Sequence, residues 1–177
     1  MNKKIILIGY MCSGKTIVGK ELASKIKAEF LDLDIYIENE EKTSINQIFS
    51  EKGELYFRKL EHNYLLDILN KKSSNILIVS LGGGTPCYFN SISLLNRRTD
   101  LITIFLKTSI KLLTKRLFKE RKNRPIISNI SSEIKLNEFV SKHLFERNPF
   151  YHKAKHTLVT DNKSVEEIVK EIEKYLT

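Results

Sequence analysis

The chain has 177 residues, enough to bury a sizeable core in one domain without covalent staples. Its two cysteines, Cys12 and Cys87, have neither zinc-ligand spacing nor disulfide density, and no apolar run nears the roughly 20 residues of a membrane span or forms a signal-peptide core; a soluble, cytoplasmic protein is expected. The formal net charge of +9 and pI near 9.4 fit a lysine-rich solvated surface, except at 115–124, where Lys115, Arg116, Lys119, Arg121, Lys122 and Arg124 crowd together and call for an anion or a very open surface.

Residues 4–8 form a short apolar, β-branched run that reads as a buried strand. Gly9 then opens G-x-x-x-x-G-K-T, which closes on Gly14, Lys15 and Thr16, and a helix follows over 15–26 with Val18, Leu22, Ala23 and Ile26 at helical spacing. Strand, glycine loop and helix together make a phosphate-binding loop: backbone N–H groups converge on a phosphate at a helix N-terminus, a lysine meets the terminal phosphates, and a hydroxyl serves Mg²⁺. The nucleotide-binding set is therefore Met11, Cys12, Ser13, Gly14, Lys15, Thr16 and Ile17.

A second strand is expected at 29–33, with Asp32 and Asp34 at its end and spaced so that both side chains share one face. One carboxylate could order Mg²⁺ water while the other accepts a proton from a substrate hydroxyl; the plainer reading is a pair of turn or helix-cap aspartates. Helices follow at 44–51 and 54–70, the first with Ser44 and Gln47 at capping-box spacing. Arg58 and Glu61 lie three apart on the second, a spacing that usually means a surface ion pair of little energetic weight. The runs at 76–81 and 101–106 are nearly continuous in apolar residues, as in strands covered on both faces. Gly82, Gly83 and Gly84 follow the first of these and let a ligand lie against bare backbone, or simply turn the chain.

Helices are expected at 88–96, 109–120 and 132–147, with Arg147 just ahead of a proline-marked end, then a strand at 156–160 and a helix at 164–176 capped by Ser164 and Glu167. The alternation of strands and helices predicts a three-layer α/β fold with a mainly parallel sheet, whose ligands collect at the carboxyl ends of the strands. One domain spans 1–177, elaborated by helices at 35–70 and a polar lid at 117–131.

Six elements in order, GYMCSGKT, the DLD of 32–34, the FRKLE holding Arg58 and Glu61, the LGGGTP holding Gly82 to Gly84, the RPI beginning at Arg124 and the ERNPFY holding Arg147, make this chain similar to the shikimate kinase family over nearly its whole length. The resemblance implies a P-loop kinase fold with a five-stranded parallel sheet, like that of nucleoside monophosphate kinases. It implies transfer of the γ-phosphoryl of MgATP to the 3-hydroxyl of shikimate, a step of aromatic amino-acid biosynthesis. Carried over residue by residue, Asp34 contacts the accepting hydroxyl, Arg58 and Arg147 hold the shikimate carboxylate, Glu61 orients Arg58, and the Gly82–Gly84 backbone lines the pocket. Arg124 closes over the phosphates from the lid, Arg116 packs on adenine, and Thr16 with Asp32 organises Mg²⁺. Asp34, Lys15 and Arg124 form the catalytic set. The small-molecule partners implied are ATP and shikimate, with no nucleic acid and no membrane, in a monomer.

Two positions depart from the family pattern. Cys12 stands where glycine is usual, which a side chain tolerates there only at negative φ, and Ile17 stands where a hydroxyl residue is usual, so weaker nucleotide binding is expected. Rival readings are another small-metabolite kinase such as a gluconate kinase, a catalytically silent nucleotide-binding protein, and a nucleic-acid binder using the 115–124 cluster. The GGG and ERxPxY elements oppose the first, and the presence of Lys15, Asp34, Arg58 and Arg147 opposes the second. Against the third, the cluster falls where a lid belongs and lacks interleaved stacking aromatics.

Overall fold

The structure, a computed structural model, describes residues 4–71, 74–121 and 125–176. Five strands, β1 (Lys4–Ile8), β2 (Glu29–Asp32), β3 (Leu77–Ser80), β4 (Leu101–Lys107) and β5 (His156–Val159), form one sheet in the order β2-β3-β1-β4-β5. Every neighbouring pair is parallel, so each connection must cross over one face. Helices α1 (Lys15–Ile26) and α8 (Val165–Glu173) belong to one face; α2 (Leu33–Glu41), α3 (Ile45–Asn70), α4 (Ser91–Arg97), α5 (Ile110–Glu120), α6 (Pro125–Ser128) and α7 (Glu133–Tyr151) complete the set.

β1 shows why its apolar run is unbroken. Ile6 and Ile8 enter one core with residues of α2, α3, α4 and α7, while Ile5 and Leu7 enter the other with Val18, Leu22, Ile168 and Ile172. Both faces of the pleat are covered, so alternation with polar residues has no place there.

Three local departures from the sequence expectation bear on the site. The second strand stops at Asp32, and Asp34 lies in the first turn of α2, so the two aspartates do not share a strand face. Asp32 instead caps α2, accepting from Asp34 N at 3.2 Å. The two helices expected at 44–51 and 54–70 join as α3, but Gly53 at φ 79°, ψ 170° breaks the helical path between them. α7 runs past the expected end through Pro149 to Tyr151. The partner lost to Pro149 would be the carbonyl of Phe145, whose residue is 84% exposed, so water takes the bond at little cost.

The loops after β1 and β3 leave adjacent strands for opposite sides of the sheet, since β1 leads to β2 and β3 leads to β4. That divergence opens a crevice at the carboxyl ends of both strands, stitched at its base by Leu81 N donating to Leu7 O at 3.1 Å.

Candidate active site

Residues 9–14 turn from β1 into α1, whose N-cap Gly14 is left-handed at φ 98°. Lys15 Nζ donates to Gly9 O at 3.0 Å and Tyr10 O at 2.9 Å, which holds the ammonium over the loop. Ser13 closes the turn through its N–H onto Tyr10 O at 3.2 Å, and its buried Oγ has no hydrogen-bond partner among the described residues. Cys12 corrects the expectation of a negative φ: it stands at φ 61°. A side chain there costs about 1–2 kcal/mol. Two bonds to α5 offset that cost, from Cys12 Sγ to Glu120 Oε2 at 3.3 Å and from Arg116 Nη1 to Cys12 O at 3.0 Å.

A cavity of about 480 Å³ opens on this side, lined by the loop from Cys12 to Val18 and by Arg116, Glu120, Thr160 and Lys163. Ile17, 59% exposed, presents an apolar surface to it instead of a hydroxyl. Cys12 is partly exposed and lines this cavity, so a nucleotide held there would cover its thiol. Iodoacetamide alkylation of Cys12 is therefore expected to slow severalfold with MgATP, as read by peptide mass spectrometry, while Cys87 serves as the internal control.

A second cavity, about 320 Å³, lies across the loop and is lined by Met11, Asp34, Phe49, Phe57, Arg58, Glu61, Gly82 to Gly84 and Arg147, among others. Arg58 is buried at 8% exposure and donates through Nη1 to Glu61 Oε2 at 2.9 Å. Its Nε and Nη2 both reach Glu54 Oε1 at 3.3 Å, and its guanidinium lies 4.8 Å from the Tyr88 ring centre. Glu61, 1% exposed, accepts from Thr85 Oγ1 at 2.5 Å, so both its oxygens are used. The expected surface ion pair is thus a buried one.

Glycine is required here by close approach. A Cβ on Gly84 would fall 2.6 Å from the Arg58 guanidinium, and one on Gly82 would meet Glu61 Oε1 at 2.6 Å and Asp34 Oδ1 at 2.8 Å. On the far wall Arg147 lies over the Tyr10 ring at 5.6 Å, and Tyr151 OH donates to Gly83 O.

Burial, reinforced by the negative charges of Glu61 and Asp32, pushes the Asp34 carboxyl up from 3.8 to about 6, against the opposing pull of Lys15 and Arg58. At the start of α1 Thr16 Oγ1 donates to Asp32 Oδ2 at 2.7 Å. A hydroxyl and a carboxylate beside a phosphate loop suit Mg²⁺, a hard cation normally held by one or two protein oxygens together with substrate phosphates and water. The Thr16–Asp32 oxygen pair has the donor chemistry for that mode of binding.

The family model described as shikimate kinase matches residues 11–177. The chain belongs to the shikimate kinase family. A shikimate kinase of Flavobacterium psychrophilum is 47% identical over 174 residues, covering 98% of this chain and 99% of that protein. The crystal structure of shikimate kinase from Bacteroides thetaiotaomicron superposes with TM-score 0.88 at 33% identity, covering 98% of both chains. Shikimate kinase from Acinetobacter baumannii, solved in complex with shikimate, superposes with TM-score 0.86 at 28% identity, covering 99% of this chain and 93% of that one.

The shikimate kinase motifs converge in space. Lys15, Thr16 and Arg116 line the larger cavity, with Asp32 bonded to Thr16 beside it, and Asp34, Arg58, Gly82 to Gly84 and Arg147 line the other. Arg124 lies outside the described residues. Within the segment expected as a polar lid, α6 sends Ile127 fully into the core, and Ile130 packs against the same core; the apolar run Pro125–Ile127 was the signal for that anchor. The sequence alone assigns no role to Glu54 and Tyr88, nor to the side chains of Tyr10 and Thr85 within two of the motifs; each meets Arg58, Glu61 or Arg147 only once the chain is folded. No helix of the described residues is long and apolar enough to cross a membrane.

Proposed function

We propose that this chain catalyses transfer of the γ-phosphoryl of MgATP to the 3-hydroxyl of shikimate, giving 3-phosphoshikimate and ADP. One observation carries the reading: two arginines, a backbone of three glycines and a carboxylate of raised pKa line one small cavity that opens beside a phosphate loop. Arginines suit a planar carboxylate because each offers paired N–H donors.

In this reading Arg58 and Arg147 hold the carboxylate of shikimate, and the Gly82–Gly84 backbone lets its ring lie close. Asp34 takes the proton of the accepting hydroxyl as its oxygen bonds to the γ-phosphorus. The bond from that phosphorus to the β–γ bridging oxygen breaks, and ADP leaves. Lys15 turns from the loop carbonyls to the phosphates, and the loop N–H groups spread their charge. Arg124 closes over the phosphates from the lid. Thr16 and Asp32 would hold Mg²⁺, which supplies charge neutralisation on the phosphate oxygens when bound. We place the enzyme in the cytoplasm, as a monomeric single domain; both cysteines being thiols supports a reducing compartment.

A coupled ADP-release assay tests the reading. Turnover with shikimate, and none above background with gluconate or without acceptor, is the expected result; turnover with gluconate alone would overturn it.

Arg116 lines the nucleotide cavity from α5 and is tethered to Cys12 O. Its contacts to the base form in ground and transition states alike, so Arg116→Ala is expected to raise KM for ATP about five- to tenfold with kcat nearly unchanged. A fall in kcat at constant KM would place Arg116 on the transferring phosphate instead.

A further inference from the structure

Tyr10 is the second residue of the phosphate loop, and it is 1% exposed. Its backbone carbonyl accepts from Lys15 Nζ at 2.9 Å. Its side chain leaves the loop in the other direction. The ring lies under the Arg147 guanidinium at 5.6 Å, and the hydroxyl meets His143 Nδ1 at 3.1 Å. The His143 ring stands edge-on to Tyr10 at 76° and packs on Phe139 with ring centres 4.2 Å apart. His143 is four residues before Arg147 on α7, so the two side chains occupy the same face and bracket the tyrosine. Burial, seconded by the positive charge of Arg147, pushes the His143 pKa down and so favours the neutral ring beside the Tyr10 hydroxyl.

One residue therefore touches both the lysine that would serve the nucleotide and the arginine that would serve the acceptor acid. A ring that backs an arginine attracts its charge through the π face and narrows its rotamers, so the guanidinium is ready to receive a carboxylate. Lys15 leaving the Tyr10 carbonyl for a phosphate frees the loop peptide to settle in the arrangement that best supports this ring.

We infer that Tyr10 is a positioning residue that holds Arg147 for the acceptor carboxylate and couples nucleotide binding to acceptor binding through the phosphate loop. This rests on the reading of Arg147 as a shikimate-carboxylate ligand. Coupling of this kind is reciprocal: whatever factor ADP contributes to shikimate affinity, shikimate contributes to ADP affinity.

The test uses calorimetry on the full chain, measuring the shikimate Kd with and without MgADP, together with steady-state kinetics. Tyr10→Met fills most of the space without a π face. It is expected to weaken shikimate binding about five- to tenfold and to bring the ADP-dependent gain in affinity close to onefold. KM for shikimate should rise by a similar factor, with kcat changed less than about threefold, a split that a general loss of packing would not produce. Tyr10→Phe keeps the ring and is expected to restore affinity to within about twofold. In a double-mutant cycle, Tyr10→Met should add nothing to the loss already caused by Arg147→Ala. If Tyr10→Met folds poorly, Tyr10→Leu takes its place in the same comparison.

Shikimate affinity and ADP coupling in Tyr10→Met equal to those of the unmodified protein would overturn the inference, and so would additive losses in the cycle. Failure of the unmodified protein to bind shikimate would overturn the functional reading itself and the inference with it.

Discussion

Asp34→Asn is expected to lower kcat by about 10²–10⁴-fold, the usual range for a general base, while raising thermal stability at neutral pH. Both effects share one cause. The carboxyl titrates near 6 because burial and the charges of Glu61 and Asp32 disfavour its anion. With the folded-state value above the ordinary 3.8, folding takes up protons between about 3.8 and 6, and stability falls as pH rises through that window. Above pH 6 the full cost is present, on the order of 1–3 kcal/mol. Asparagine keeps the shape and removes the charge, so it recovers part of that cost, less a few tenths of a kcal/mol for the acid lost from the first turn of α2. In the unmodified protein kcat/KM should fall about tenfold per pH unit below 6. Stopped-time assays from pH 5 to 8 with parallel thermal melts check both halves. Near-normal turnover by Asp34→Asn would remove Asp34 from the base role and leave the phosphoryl group to take the proton.

The carboxylate clamp carries the second large effect, and its two arginines should separate. Arg58→Ala and Arg147→Ala are each expected to weaken shikimate binding by about 1.5–3 kcal/mol, the range for a hydrogen bond to a charged group, with ATP affinity in the absence of shikimate unchanged. Arg58→Ala also strands Glu61, whose carboxylate is 1% exposed, and removal of one partner from a buried pair costs about 3–5 kcal/mol. Arg147 is only partly buried, so its alanine variant should melt near the original temperature. Adding Glu61→Gln to Arg58→Ala should recover stability without recovering affinity. Equal melting of the two single variants, or equal weakening of shikimate and ATP, would contradict the division of labour between them.

The phosphate loop was legible because its signal is local: six residues, a strand before and a helix after determine the geometry together. The Arg58–Glu61 pair was legible as a pair and not as a buried one. Spacing tells which helix face two residues share, whereas Thr85, Tyr88 and the glycine turn that cover this face come from elsewhere in the fold. The DLD segment misled because two residues cannot distinguish the end of a strand from the start of a helix; Asp32, turning back to cap α2, settles it. Pro149 misled for a related reason, since proline forbids one hydrogen bond and that bond lay on an exposed stretch where water replaces it. Cys12 at φ 61° shows that a side chain can occupy a left-handed loop position when contacts from another helix hold it.

The strand order has a consequence for how the chain reaches this state. β1 is made first, yet it lies at the centre of the sheet, and its neighbours are residues 77–80 on one side and 101–105 on the other. Neither edge can be satisfied by nearby sequence, so closing the sheet carries the loop-closure entropy of two long chain segments before any pairing repays it. During synthesis the run Lys4–Ile8 emerges long before its partners and remains an unpaired apolar strand. Folding should accordingly be slow for the chain's length, and a nascent chain halted before β4 should be bound by chaperones or aggregate through β1, whose second edge has nothing yet to hold.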